Sequence, residues 1–146
     1  MIALASDHGG FPLKNEIKKF LEELHFEYKD FGCDSQASCD YSDFGLKAAQ
    51  AVAAGTCEKG IVICGTGAGM SYTANKVNGV RCVLCSDCYT AAMSREHNDA
   101  NMLSLGGRVL GIDLAKMIVQ TWLETKFSND ERHKRRIAKV MDIEKL

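Results

Sequence analysis

Apolar residues along the chain switch between two periods. Ile2 to Ser6 is a short apolar run that predicts a buried strand. Pro12 suits the first turn of a helix, where its missing N–H is not needed. Leu13, Ile17, Phe20, Leu21 and Leu24 then recur at helical spacing and give one apolar face. Phe26 to Phe31 alternates and predicts a strand closed by Gly32. Cys33 to Tyr41 is polar and predicts a loop, and alanine-rich Phe44 to Ala54 predicts a helix ended by Gly55. Gly60 to Cys64 is continuous and β-branched, as in the middle of a parallel sheet. A glycine loop from Gly65 to Gly69 leads into a short helix from Ser71 to Lys76, and Asn78-Gly79 marks a turn. Val80 to Cys85 and Met102 to Gly106 read as strands, with a helix from Tyr89 to Glu96 between them. Leu114, Met117, Ile118 and Trp122 mark a long helix, and Asp130 to Lys145 a strongly charged last one.

Five strands alternating with helices imply one α/β domain over residues 1–146. The expected architecture is a Rossmann-like three-layer sandwich, a five-stranded parallel sheet with helices on both faces. Ligands of such folds sit at the carboxyl ends of strands, so chemistry is expected just after Ser6, Phe31, Cys64, Cys85 and Leu105.

Composition narrows the function. Lys plus Arg is 18 against 19 Asp plus Glu, a net charge of −1, which removes the electrostatic case for a nucleic-acid or membrane-surface binder. No apolar run approaches the roughly 18 residues that span a bilayer. Asp7 and His8 interrupt the first apolar stretch too early for a signal peptide. Seven cysteines, an odd number, then point to free thiols in a reducing compartment, the cytoplasm.

Asp7 and His8, followed by two glycines at a strand end, reach a ligand from several directions, although an aspartate there also serves as a helix cap. Gly65, Gly67 and Gly69 at alternate positions leave backbone N–H groups free to meet an anion. The loop lacks the GK[ST] ending of a P-loop and the spacing of a dinucleotide fingerprint. It also lacks a phosphatase arginine: the sixth residue after Cys64 is Met70. Cys64, at a strand end facing a helix N-terminus, is placed to act as a thiolate. Cys82, Cys85 and Cys88 have metal-like spacing, but the first two fall on opposite faces of one strand and no fourth ligand follows, so no metal is expected. His97-Asn98 follows the fourth helix and is expected at the mouth of the sheet. Arg108, Arg132 and Arg136 are candidate anion contacts; the last two, four apart, share a helix face with a simple solvated basic surface as the alternative. A thiolate base, a nest of N–H donors, an acid/base histidine and arginines for a phosphate fit proton abstraction beside a carbonyl, with no cofactor.

The motifs SDHGGFPLK, Asp40-Tyr41, ICGTGAGMSYTANK, SREHNDANMLSLGGRVLG and ERHKRRI, in that order from Ile2 to about Ile143, resemble the type B ribose-5-phosphate isomerases, relatives of the galactose- and allose-6-phosphate isomerases. The resemblance implies interconversion of D-ribose 5-phosphate and D-ribulose 5-phosphate in the pentose phosphate pathway. It assigns proton transfer between adjacent sugar carbons to Cys64, assistance at the substrate oxygens to Thr66 and ring opening to His97. Asp7, His8, Tyr41 and Asn98 match substrate contacts, Gly65, Gly67, Ala68 and Gly69 the loop holding the enediolate, and Arg108, Arg132 and Arg136 the anion-binding positions. It further implies a homodimer, or a tetramer, with the site at the subunit interface and the helix at 130–145 serving both dimer and phosphate. A second family branch uses a glutamate where this chain has Met70, and a serine where it has Cys64. The chain departs from the family at Ser42, where a proline is usual, which frees the backbone beside Tyr41. His97-Asn98 favours the pentose substrate over galactose 6-phosphate. The alternatives are a hexose 6-phosphate isomerase, a non-catalytic phosphosugar-binding module and, disfavoured by Met70, a cysteine phosphatase.

Overall fold

The computed structural model describes residues 1–146. Five parallel strands form one sheet: β1 (Ile2–Ser6), β2 (Tyr28–Asp30), β3 (Lys59–Cys64), β4 (Cys82–Leu84) and β5 (Met102–Gly106), in the order β2-β1-β3-β5-β4. The helices are α1 (Phe11–Glu23), α2 (Tyr41–Ala53), α3 (Ala68–Asn75), α4 (Cys88–Glu96), α5 (Ile112–Glu124) and α6 (Glu131–Asp142), with a 3₁₀ turn at Ile143–Lys145. The expected α/β sandwich is therefore present.

Side chains alternate across the sheet and sort into two cores. Leu4, Ile61, Ile63, Leu103 and Leu105 pack with Ile17 and Leu21 of α1 and Ile118 and Trp122 of α5. On the other face Ala3, Ala5, Val62 and Cys64 meet Ala48, Ala49 and Val52 of α2 and Met70 and Ala74 of α3. The first core is built of large branched residues and the second largely of alanine, so α2 and α3 lie close against the strands.

Several boundaries differ from expectation. The two edge strands are shorter than their apolar runs, because each pairs on one side only: β2 with β1 and β4 with β5. Phe26 instead donates its N–H to Leu21 O at 2.9 Å and closes α1. α2 starts at Tyr41, three residues earlier than expected, with Asp43 in its first turn near the positive end of the helix dipole. α3 starts at Ala68, so the tail of the glycine loop is already helical. The last helix gives way to the 3₁₀ turn after Asp142.

Lys14 is fully buried on the core stripe of α1. Its ammonium donates to Asp30 Oδ1 at 2.8 Å and to the Cys33 carbonyl, tying α1 to the end of β2 and the segment beyond it. Burial alone would raise the Asp30 carboxyl, but donors from Lys14, Lys18 and the Gly32 N–H hold it below its usual value.

Candidate active site

The carboxyl ends of β1 and β3 collect one group of polar residues. Asp7 is buried, and its Oδ1 accepts the Gly10 N–H at 2.9 Å, closing the turn into α1. His8 Nδ1 accepts the Cys39 N–H at 3.2 Å, which puts the ring proton of a neutral imidazole on Nε2. Cys64 ends β3, buried, and its Sγ accepts the Gly67 N–H at 3.2 Å. Gly67 has φ +84°, a conformation that turns its N–H back toward the sulfur and that a side chain would strain. Its carbonyl accepts a 2.6 Å hydrogen bond from Ser104 Oγ, wholly buried in β5. The Tyr41 ring lies directly on Gly69: a Cβ there would stand 2.5 Å from a ring carbon. Thr66 is exposed, its Oγ1 accepting the Ala68 N–H at 3.2 Å. The Arg108 side chain crosses Gly9 and Gly65, and its backbone N–H bonds Gly65 O at 2.9 Å. No carboxylate pairs with this guanidinium.

A second group lies elsewhere. α4 starts beyond the carboxyl end of β4 and returns across the sheet, so His97, after its last turn, sits before β5 at the amino edge. This corrects the expectation that His97-Asn98 stands at the mouth of the sheet: a crossover helix ends where the next strand begins. β5 alone separates the two edges by roughly 16 Å. The His97 ring lies 4.5 Å from that of His133, the only side chain α6 buries. His133 Nδ1 shares a 2.6 Å hydrogen bond with Ser128 Oγ, and Arg132 Nε approaches its Nε2 at 3.4 Å. Burial first, then His97 and Arg132, lower the affinity of His133 for a proton. The Asn98 carbonyl accepts from Arg81 Nε at 3.0 Å. Asn98 and Arg136 also line a groove of about 560 Å³ between β4 and α6, closed by Val80, Val83, Val140 and Met141.

Within one chain the structure thus unites Asp7, His8, Tyr41, Cys64, Thr66, the Gly65–Gly69 loop and Arg108, and separately His97, Asn98, Arg132 and Arg136. Burial and neighbouring groups push the Cys82 and Cys85 thiols up to about 12, so both are protonated at neutral pH. No cluster of three His, Cys, Asp or Glu side chains is arranged to hold a metal ion. Sequence reasoning overlooked Lys14, Ser104 and the Cys39 N–H. The first two carry a signal, a polar residue at a core position of an apolar pattern; the third is a backbone contact from a loop and carries none.

A buried sulfur held by an N–H, beside an open hydroxyl, a row of loop amides and an unpaired guanidinium, is equipped to take a proton from an anionic substrate. Comparison with known proteins gives the family. Residues 2–140 match the family described as Ribose/Galactose Isomerase. The ribose-5-phosphate isomerase B of Escherichia coli (strain K12) is 46% identical over 143 residues, 98% of this chain and 95% of that protein. The solved structure of Clostridium thermocellum ribose-5-phosphate isomerase B superposes with a TM-score of 0.96 at 55% identity, covering 99% of this chain and 97% of that one. That of the Mycoplasma genitalium enzyme with bound ribulose-5-phosphate superposes at 0.93 with 39% identity, covering 99% and 95%.

Proposed function

Since the chain belongs to the ribose/galactose isomerase family, we propose that it interconverts D-ribose 5-phosphate and D-ribulose 5-phosphate through ring opening and an enediolate. The observation that carries this reading is the Cys64 sulfur, buried at the end of β3 and fixed by the Gly67 N–H. The sulfur takes the proton from the carbon beside the carbonyl and returns it to the neighbouring carbon. Charge that develops on the two substrate oxygens meets the amides of Gly65 to Gly69 and the Thr66 hydroxyl. The substrate supplies both the carbon oxidised and the carbon reduced, so the step needs no external redox partner.

Ring opening needs an acid at the ring oxygen, and His97 fills that role from the opposite edge of the sheet. It reaches a Cys64 only if a second copy supplies it, so the reading includes a homodimer whose sites lie between subunits. Asn98, Arg132 and Arg136 come with His97, and α6 serves both the subunit contact and the phosphate. Arg108, free of any carboxylate, meets the phosphate from the Cys64 side. Asp7, His8 and Tyr41 contact the sugar hydroxyls. No helix is long and apolar enough to cross a membrane, and seven unpaired cysteines suit a reducing compartment, the cytoplasm.

The deciding experiment is an isomerisation assay with ribose 5-phosphate and allose 6-phosphate side by side in a chelator. Turnover of ribose 5-phosphate is the expected result. Binding without turnover would leave a phosphosugar-binding module, and preference for the hexose would move the substrate to the other family branch.

A further inference from the structure

Two cysteines outside the reaction chemistry flank the end of β1. Cys33 donates its N–H to Ser6 O at 2.8 Å, and its sulfur lies 3.8 Å from Ser6 Oγ and 3.2 Å from Ser35 O. Cys39 donates its N–H to His8 Nδ1 and holds its own sulfur 3.8 Å from the same nitrogen. Ser6 and His8 are two residues apart on β1 and the turn after it, so the two sulfurs are drawn to the same strand end, close enough for each to act on the other's charge. Cys33 is buried, Cys39 is half-buried, and both are free. Residues 34 to 38 between them are exposed and make no backbone–backbone hydrogen bonds, so the segment can tighten without breaking a ladder.

We propose that Cys33 and Cys39 form an oxidation-sensitive dithiol beside the substrate site, which hydrogen peroxide converts to an intrachain disulfide that draws the Cys39 N–H away from His8. The more accessible Cys39 reacts first, its proton passing to His8. Its sulfur attacks one peroxide oxygen, the O–O bond breaks and hydroxide leaves, giving the sulfenic acid. The Cys33 sulfur attacks that sulfur, the S–S bond forms, and the S–O bond breaks with release of water. Two thiols and one peroxide thus yield one disulfide and two waters, the sulfurs losing the two electrons the peroxide oxygens gain. Burial raises the Cys39 thiol and Cys33 and Asp7 raise it further, against a lowering by His8. The pair therefore stays reduced until peroxide is abundant. Tyr41 opens α2 two residues beyond Cys39, so the disulfide disturbs two of the sugar contacts, a consequence that rests on the function proposed above.

The test treats the intact reduced protein with hydrogen peroxide and reads peptide mass and turnover together. Trypsin, cutting after Lys29 and Lys47, releases residues 30–47, which hold Cys33 and Cys39 and no other cysteine. We expect this peptide to become two hydrogens lighter and unreactive to iodoacetamide. In step, KM for ribose 5-phosphate should rise by about tenfold, as for a small misplacement of binding groups, and dithiothreitol should reverse both changes. Cys33→Ser should keep the untreated activity and lose both responses; Cys39→Ala replaces it if the first variant does not fold. Peptide 30–47 staying reduced while activity falls would assign the loss to Cys64 and overturn the proposal, as would a disulfide that leaves KM unchanged. If the untreated protein does not turn over ribose 5-phosphate, the functional reading fails, while the peptide mass still decides whether the dithiol forms.

Discussion

The two edges of the sheet hold their polar residues in different ways. At the carboxyl edge the backbone does the holding: Asp7, His8 and Cys64 each accept a main-chain N–H, from Gly10, Cys39 and Gly67. The Gly10 and Gly67 amides belong to turns anchored on buried strands, and the Cys39 amide to the loop before α2. At the amino edge His97, Arg132 and His133 meet through side chains, on a helix that buries a single residue. On the function proposed above, the base that must meet one carbon has the first kind of support, and the groups that reach an oxygen or a phosphate have the second. The amino edge is also the more open one: α6 and the 3₁₀ turn after it leave Val140 and Ile143 exposed beside the groove between α6 and β4.

The largest break in this comparison comes from removing the base. Cys64→Ala should keep the fold and lower kcat by roughly 10²-fold or more in both directions, with Cys64→Ser nearly as poor. Retention of more than about a tenth of wild-type kcat would remove Cys64 from the reaction.

The amino edge should fail differently. His97→Asn should lose turnover of cyclic ribose 5-phosphate yet keep proton exchange at carbon when started from open-chain ribulose 5-phosphate in deuterated water, followed by NMR. Mixing His97→Asn with Cys64→Ala subunits, each nearly inactive, should restore about a quarter of wild-type activity after exchange, since half the dimers are mixed and each has one intact site. No recovery would show that the two edges do not meet between subunits.

A smaller effect tests the support behind the base. Ser104→Ala removes one of the two donors to the buried Gly67 carbonyl, which keeps the Ser71 N–H at 3.0 Å, a loss of about 0.5–1.5 kcal/mol, read as a fall in Tm. It should also lower kcat more than it changes KM, because Gly67 holds the sulfur and meets charge that develops only during the reaction. A fall in Tm with kcat unchanged would make Ser104 structural only.

The smallest effect is a difference in acid tolerance. His133 binds protons less readily folded than unfolded, so the stability it lends is complete above 6.5 and is lost as pH falls below that value. Asp30 has a lowered pKa, so its contribution persists to about 3.8 and is lost as pH falls further, through its folded value. On acidification hydrogen exchange should therefore quicken in α6 before it does in α1 and β2. Simultaneous loosening would show that the two edges unfold as one unit.

Strand and helix identities were legible because period-2 and period-3.6 patterns follow from which face each residue buries. The insertion of β5 between β3 and β4 was not, since local periodicity carries no record of which strand lies beside which. The short edge strands escaped for a related reason: Val80 and Cys85 suit a strand but have no second neighbour to extend it. At the site, the residues on one loop, Cys64 to Gly69, were readable together because sequence adjacency is spatial adjacency there. The position of His97 was misjudged although connectivity determines it, because a helix that leaves one edge must arrive at the other. Lys14 and Ser104 lay hidden inside motifs read for their neighbours.

The alanine layer between the sheet and α2–α3 gives random mutation a different sign on each side of the molecule. Around Leu4, Ile63 and Trp122 most replacements remove volume and leave voids, which neighbours partly fill. Around Ala3, Ala5, Ala48 and Ala74 almost every replacement adds volume to a closed space. Cys64 and Met70 belong to that second layer, so drift there pushes α3 outward and takes the Gly67 amide with it. Loss of activity before loss of folding should accumulate on this face, and loss of folding first on the other.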